Sequence, residues 1–340
     1  MTGMEPAAAR PITRVDVARY AGVSSAVVSY VVNGGPRPVA PKTAARVREA
    51  IRVLGYRPNA SARALRTGST QLLGLVVPEI GNPLFADLAL AIETAAAQRG
   101  YGLLLTNSQG DADAERRHVL NLTARQIDGL LLTPTNSRPD LANLPLTGTP
   151  TVLLGTFEQQ PGYPSVGVDA YTGAYNGVTH LISHGHPSIA LIIGGGRTPG
   201  DELREQGWLR ATRDAGLPDG PIARESWSRA GGYAAGHRLF ADSPHPSAVF
   251  VSSDLQAIGL LRALHESGRR IPHDVAVLSF DGTQESEYSN PQLTVIRQPI
   301  ALIATDAINR LLTPNSPDGP NNILHPSELI LRRSCGCPHS

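Results

Sequence analysis

Apolar positions recur along this chain in two rhythms, and the change from one to the other falls near residue 70. In the first stretch they keep helical spacing. Thr13 can cap a helix whose apolar positions are Val15, Val17 and Ala18, with Asp16 placed three residues on to close a capping box. Ala21, Gly22 and Val23 form a tight connection, after which Ser24 can cap a second helix to Asn33, with Val27, Val28, Val31 and Val32 spaced for burial. The proline-rich run GGPRPVAP then breaks the pattern. A third helix is predicted from about Lys42 to Leu54, its stripe being Ala45, Val47, Ile51 and Leu54. Residues 58 to 69 are short, polar and basic, with Asn59 as a cap and Gly68 as a stop, which describes a small hinge helix or linker.

From Gln71 the pattern becomes short apolar runs alternating with amphipathic segments: LLGLVVP, Leu84 to Arg99, YGLLLTN, Asp113 to Gln126, GLLLTP. It continues through TVLLG, Thr172 to His184, IALIIGG, Glu202 to Ala215, AVFVSS, Leu255 to Ser267 and VAVLSFD. Continuous Val, Ile and Leu runs are the mark of strands buried on both faces, hence of parallel, doubly wound sheets. About nine such units exceed one sheet. Two Rossmann-like lobes are expected, with a ligand between them at the carboxyl ends of the strands.

Composition supports ordered structure nearly throughout, since 41% of the 340 residues are hydrophobic and 17% charged, without a long charge block. The net charge of +1 hides two opposed regions. The first 70 residues hold eleven Arg and Lys against three Asp and Glu, a balance of +8, and the remainder carries -7. A polyanion partner for the N-terminal fifth follows. No basic segment with an apolar run opens the chain and no window reaches membrane-spanning length, so a cytoplasmic protein without a membrane partner is expected.

Chemistry-bearing motifs are few. Cys335 and Cys337 form a lone CxC near the end, read as part of an unstructured tail because metal sites need about four ligands. His180, His184 and His186 look like a metal cluster at first sight. The glycines Gly194 to Gly196 lack the spacing and the Lys-Ser/Thr ending of a phosphate loop, and no GxSxG or HExxH occurs. No catalytic residue or cofactor is therefore expected.

The run TRVDVARYAGVSSAVVSYVVN resembles the helix-turn-helix headpiece of the lactose-repressor and galactose-repressor (LacI/GalR) family. The likeness continues through KTAARVREAIRVLGYRPNASARALRTGST, GLVVPEIGNPLFADL, QIDGLLLTP, HLISHGHPSIALIIG, REQGW, SSDLQAIGLLRALHESGRRIPHDVAVLSFDGT and PQLTVIRQP in family order. It implies an all-α helix-turn-helix headpiece followed by an α/β periplasmic-binding-protein-like domain of two doubly wound Rossmann-like lobes. The expected boundaries are a disordered 1–11, a headpiece at 12–57, a hinge helix and linker at 58–70, the two-lobed domain at 71–334 and a tail at 335–340. Within the domain, the first lobe would comprise 71–169 plus 298–322 and the second 170–297 plus 323–334. The three histidines match the family's structural GH turn, which accounts for them without a metal.

By the same resemblance the second helix lies in the major groove of double-stranded operator DNA. Ser25, Ala26 and Tyr30 take the base-reading positions, and packing within the headpiece is the alternative for Tyr30. Thr13, Ser24, Ser29 and Asn33 face phosphates, while Asn59, Ala62, Arg63 and Leu65 belong to the hinge, with Leu65 wedged into the minor groove. Phe85, Arg204, Trp227, Asp254, Asp281 and Gln298 are placed around the cleft between lobes, a set that suits a sugar-like effector. Asp254 capping the next helix and Trp227 merely closing the lobes stay open as alternatives. The implied function is regulation of transcription, usually repression, by a homodimer on a pseudo-palindromic operator under allosteric control. No heptad tail follows LILRR, which argues against a coiled-coil tetramer. A transporter's solute-binding protein would share the second rhythm but not the basic headpiece, and a sugar-acting enzyme has no catalytic site to rest on.

Overall fold

The structure is a computed structural model that describes residues 10, 12–33, 35, 37–57, 64, 67–135, 141, 144, 146, 148–155, 162–195, 202–313 and 321–337. It divides into two units, Met1–Thr70 and Gln71–Ser340.

The first unit contains helices α1 (Arg14–Ala21), α2 (Ser25–Asn33) and α3 (Pro41–Leu54). The capping box of α1 forms, with the Thr13 N–H donating to Asp16 Oδ2 at 2.9 Å, and Gly22 ends the helix at φ +62°. The core is Val17, Ala18, Ala21, Val28, Val47 and Ala50, with Val27, Val31, Val32, Ile51 and Leu54 packed around it. Two sequence expectations are corrected. Val15 is 55% exposed, and Ala45 is exposed while Ala44 is buried. Counting from the fully buried Val47, helical spacing puts 44, 50, 51 and 54 on the core face, so position 45 points away. Beyond α3, the Gly68 N–H donates to Ala64 O at 2.8 Å with Gly68 at φ +68°, the expected stop.

The second unit carries two six-stranded sheets. The first lobe has β1 (Leu72–Val77), β2 (Gly102–Asn107), β3 (Gly129–Leu132), β4 (Thr151–Leu154), β5 (Ser165–Val168) and β11 (Asn322–His325), in the order β11-β5-β4-β3-β1-β2, all parallel. The second has β6 (Ile189–Gly194), β7 (Ile222–Glu225), β8 (Ala248–Val251), β9 (Ala276–Asp281), β10 (Thr294–Arg297) and β12 (Glu328–Ile330), in the order β12-β10-β9-β8-β6-β7. Only β12 runs antiparallel in that sheet. Strands β1, β3, β4, β6, β8 and β9 are buried nearly end to end, as continuous apolar runs require.

Helices α4 (Pro83–Gln98), α5 (Ala112–Thr123) and α11 (Ile300–Leu312) cover the first sheet. Helices α6 (Ala170–Ser183), α7 (Leu203–Asp214), α8 (Arg229–Leu239), α9 (Asp254–Glu266) and the short α10 (Gln284–Tyr288) serve the second. The chain crosses between lobes after β5, after β10 and after β11. The third crossing corrects the expected lobe limits, because β11 extends the first sheet to His325 and the passage is made by Pro326 and Ser327. The tail expectation is corrected as well. A 3-10 turn, Arg333–Cys335, docks on the second sheet, with Ser334 Oγ donating to Val277 O at 2.6 Å and accepting from the Thr294 N–H at 2.8 Å. Both Ser334 and Cys335 are buried.

Candidate nucleic-acid interface and ligand site

In the first unit, Ser24 caps α2 by accepting from the Val27 N–H at 3.4 Å, which places Ser25 and Ala26 on the helix's first turn with Ala26 exposed. Four backbone N–H groups at such a terminus lack helical partners and form a natural seat for a phosphate. Ser29 and Asn33 lie one turn apart and are joined, Asn33 Nδ2 donating to Ser29 O at 3.1 Å and to its hydroxyl at 3.2 Å. Tyr30 is half buried. Its ring lies against Gly35, where any added Cβ would overlap it. Thr13 spends both donors on Asp16, since its hydroxyl also donates to Oδ2, at 2.6 Å. Those bonds hold the Asp16 carboxyl below its ordinary pKa. Asn59, Ala62, Arg63 and Leu65 lie outside the described residues.

The basic residues Arg14, Arg37, Lys42, Arg46, Arg48 and Arg57 are all exposed, while Arg19 and Arg52 pair with Asp16 and Glu49. Among the described residues these six have no acidic partner, and exposed cations on the same small unit as α2 suit a phosphate backbone.

In the second unit, five of the six cleft residues gather at the carboxyl ends of β6, β8 and β9, where doubly wound sheets bind ligands. Arg204, on the first turn of α7, is fixed by Glu202, its Nε donating to Oε1 at 2.8 Å, and by Ser252 O, which accepts from Nη1 at 2.6 Å. The guanidinium lies over two rings, 4.9 Å from the centre of Trp227 and 5.0 Å from that of Phe280. Trp227 in turn rests on Gly194 at the end of β6, where a Cβ would overlap the indole.

Asp281 ends β9 at φ +121°, a conformation that costs a non-glycine residue about 1–3 kcal/mol and is kept only where its surroundings impose it. Its Oδ1 accepts from Gln298 Nε2 at 2.8 Å, and its backbone carbonyl accepts from the Gln298 N–H at 3.0 Å. Among the described residues, Oδ2 has no partner although it is buried. Burial, then the neighbouring Asp254, push this carboxyl up to about 8, against the pull of Arg204 and Gln298.

Asp254 is spent on the protein. Its carboxylate accepts from Ser279 Oγ at 2.5 Å, from the Thr283 N–H at 2.7 Å and from Thr283 Oγ1 at 2.9 Å, and the residue is 1% exposed. The helix cap at this point is Ser253, whose hydroxyl accepts from the Gln256 N–H at 3.2 Å, so the capping alternative for Asp254 is set aside. Phe85 stands apart from these five, on the first turn of α4 in the other lobe. The sequence reading missed Glu202, Ser252 and Phe280. Their signal is positional only, as each adjoins a residue or strand end already singled out. A groove of about 460 Å³ lies elsewhere, between α9 and the α10 region, but no buried polar atom without a partner lines it.

Comparison with known proteins decides the class. Residues 14–59 match the family described as bacterial regulatory proteins, lacI family, and residues 178–335 match a periplasmic binding protein-like domain. Catabolite control protein A of Priestia megaterium is 36% identical over 306 residues, spanning 89% of this chain and 92% of that protein. This chain belongs to the lacI family of bacterial regulatory proteins. Among solved structures, a lac repressor dimer bound to operator and the anti-inducer ONPF matches this family member with a TM-score of 0.87 and 29% identity, covering 96% of the chain and 99% of that one. A complex of the transcriptional regulator CelR with cellobiose matches with a TM-score of 0.69 and 30% identity, covering 96% and 100%. The lacI-family chain is thus a DNA-binding regulator of transcription with an α/β ligand-binding domain. Among its described residues no helix is long and apolar enough to cross a membrane.

Proposed function

We propose that this regulator represses transcription from the cytoplasm as a homodimer on a pseudo-palindromic operator, and that a sugar-like effector seated on Arg204, Trp227, Asp281 and Gln298 sets its affinity for DNA. The observation that carries the ligand assignment is the buried Asp281 Oδ2, a polar atom without a partner beside a guanidinium and an indole. Such an atom costs about 1–3 kcal/mol when unpaired, and a ligand hydroxyl would recover that. The indole offers an apolar face for a ring, and Arg204 and Gln298 can share the remaining hydroxyls. That CelR, a structural relative, forms a complex with cellobiose supports a sugar-like effector. Asp254 belongs to this site as a positioning residue that holds the β9–α10 turn. The base-reading role of Ser25 and Ala26 is supported by their place on the first turn of α2, where Ala26 is exposed and Ser25 half buried, and that of Tyr30 is reduced by its packing on Gly35. We read the ligand as bound and released unchanged, with no turnover.

The test has two parts. Operator selection with the purified protein should return a two-fold symmetric site, bound with an affinity that falls steeply with salt. A panel of mono- and disaccharides should contain one that binds and changes operator affinity. Coupling must be reciprocal, so operator should change sugar affinity by the same factor. Binding without coupling, or conversion of the sugar, would overturn the effector reading.

A further inference from the structure

One cluster lies outside both sites: the CxC near the end of the chain and two of the three histidines. His180 stands on the last turn of α6 and His184 follows as its C-cap residue, four positions on, so both rings occupy one helix face. Their centres are 4.6 Å apart. Against them the docked terminal segment sets two sulfurs. His180 Nε2 is 3.4 Å from Cys335 Sγ and 3.5 Å from Cys337 Sγ, and His184 Nε2 is 3.4 Å from Cys337 Sγ. The donor atoms of His180, Cys335 and Cys337 all lie within 4.8 Å of one another.

For these three donors the spacing is that of a tetrahedral site, and His184, outside that group, stands at its edge beside Cys337. An ion with nitrogen ligands at about 2.0–2.1 Å and sulfur ligands at about 2.3 Å separates each N and S by about 3.5 Å. We propose that His180, His184, Cys335 and Cys337 bind one soft divalent cation of the zinc type, which fastens the end of the chain to α6. Two thiolates and two neutral imidazoles would leave the occupied site without net charge, which suits its half-buried place. Surrounding groups hold the ligands ready. The Thr294 hydroxyl donates to Cys335 Sγ at 3.0 Å, and Gly336 at φ +90° turns the chain so that both sulfurs face the imidazoles. His186 has no recorded contact with either sulfur. The CxC alone is two ligands short, which is why the sequence reading set it aside, and the fold brings up two imidazoles from a helix end 153 to 155 residues earlier.

The experiment uses the untagged full-length protein, purified reduced and without chelator. Metal analysis should find about one zinc per chain. After removal of the ion, Co²⁺ titration should produce the intense visible bands of thiolate ligation. Cys337→Ser and His184→Ala should each weaken Co²⁺ binding by at least about tenfold, whereas His186→Ala should leave it unchanged. Cys337 is only half buried, so its variant can be checked for unchanged operator binding, which separates metal loss from misfolding. Absence of both zinc and cobalt bands in the reduced protein would overturn the proposal, as would a Cys335–Cys337 disulfide that survives in reduced cell extracts. Co²⁺ affinity equal to that of wild type in the Cys337→Ser and His184→Ala variants would do the same.

Discussion

Asp254→Ala tests whether a carboxylate at the ligand site serves the ligand or the fold. Removing it leaves the Thr283 N–H, buried and fixed in direction, without an acceptor, while the hydroxyls of Ser279 and Thr283 can rotate toward other partners. An unsatisfied buried amide costs about 1–3 kcal/mol, and the void and the two displaced hydroxyls bring the total to about 2–4 kcal/mol. With an unfolding entropy of about 2.1 cal/mol/K per residue, a unit of this size should melt about 4–7 °C lower. The penalty also carries a pH signature. Burial raises the Asp254 carboxyl from 3.8 to about 6, so its favourable contribution is complete below the ordinary carboxylate range and is lost as pH rises through about 6. Deleting Asp254 also relieves Asp281, which acts in the same direction. The gap between wild type and variant should therefore narrow from pH 5 to pH 7.5 in thermal melts, a range chosen to span about a unit or more on either side of that value. Sugar affinity, measured by titration calorimetry below the melting range, should fall less than about tenfold, since a lost direct charged hydrogen bond would cost about 1.5–3 kcal/mol. An unchanged melting temperature together with abolished sugar binding would refute this assignment.

Asp281→Asn should weaken effector binding about twofold to tenfold near neutral pH, the loss of one buried hydrogen bond from a carboxyl that is protonated there, in the same calorimetric assay. It should also flatten the decline in stability that wild type shows as pH rises from about 4 toward 8, because the raised carboxyl favours the folded state only while protonated. Gly194→Ala should displace Trp227 and lower effector affinity severalfold with little change in operator binding by the ligand-free protein, as read by paired binding curves. Leu65→Ala should reduce operator affinity much more than non-specific DNA affinity, and equal losses in gel-shift titrations would exclude a wedge at the operator centre. Neutralising Lys42 should lower the slope of log affinity against log salt by about 1 if it meets a phosphate, and by nothing if it faces solvent.

Residue patterning made the class of the fold legible, because α/β alternation and buried strands leave strong periodic signals. It failed where glycine or brevity erased them. The segment RAGGYAAGHRL reads poorly as a helix, yet it forms α8, since Gly232 lets that helix meet the backbone of Gln256 closer than any side chain would allow. Strand β7, with Ile222 and Glu225 only partly covered, sits at a sheet edge and lacks a continuous apolar run. Side-chain roles were less legible than elements. Nothing in the order of residues distinguishes Asp254, satisfied by its neighbours, from Asp281, left with an oxygen to spare. That difference arises only when Ser279 and Thr283 are folded against α9. The CxC, read as part of an unstructured tail, was misplaced for the same reason, because only the fold docks Ser334 and Cys335 on the second sheet.

The three passages between lobes have a mechanical consequence. Two bodies joined by a single strand can swing, slide and twist independently. Here the passages after β5 and β11 are tied side by side, the Asp169 N–H donating to His325 O at 2.9 Å, and Ser327 packs so closely on Gly173 that a Cβ there would overlap its hydroxyl. The passage after β11 is only Pro326 and Ser327, with proline stiffening it, and the passage after β10 is as short, Gln298 and Pro299 before α11 begins. Three short tethers restrict such independent movement more than one would. An effector seated between the lobes, as proposed, would therefore spend its differential affinity on a joint with fewer loose movements than a single linker leaves.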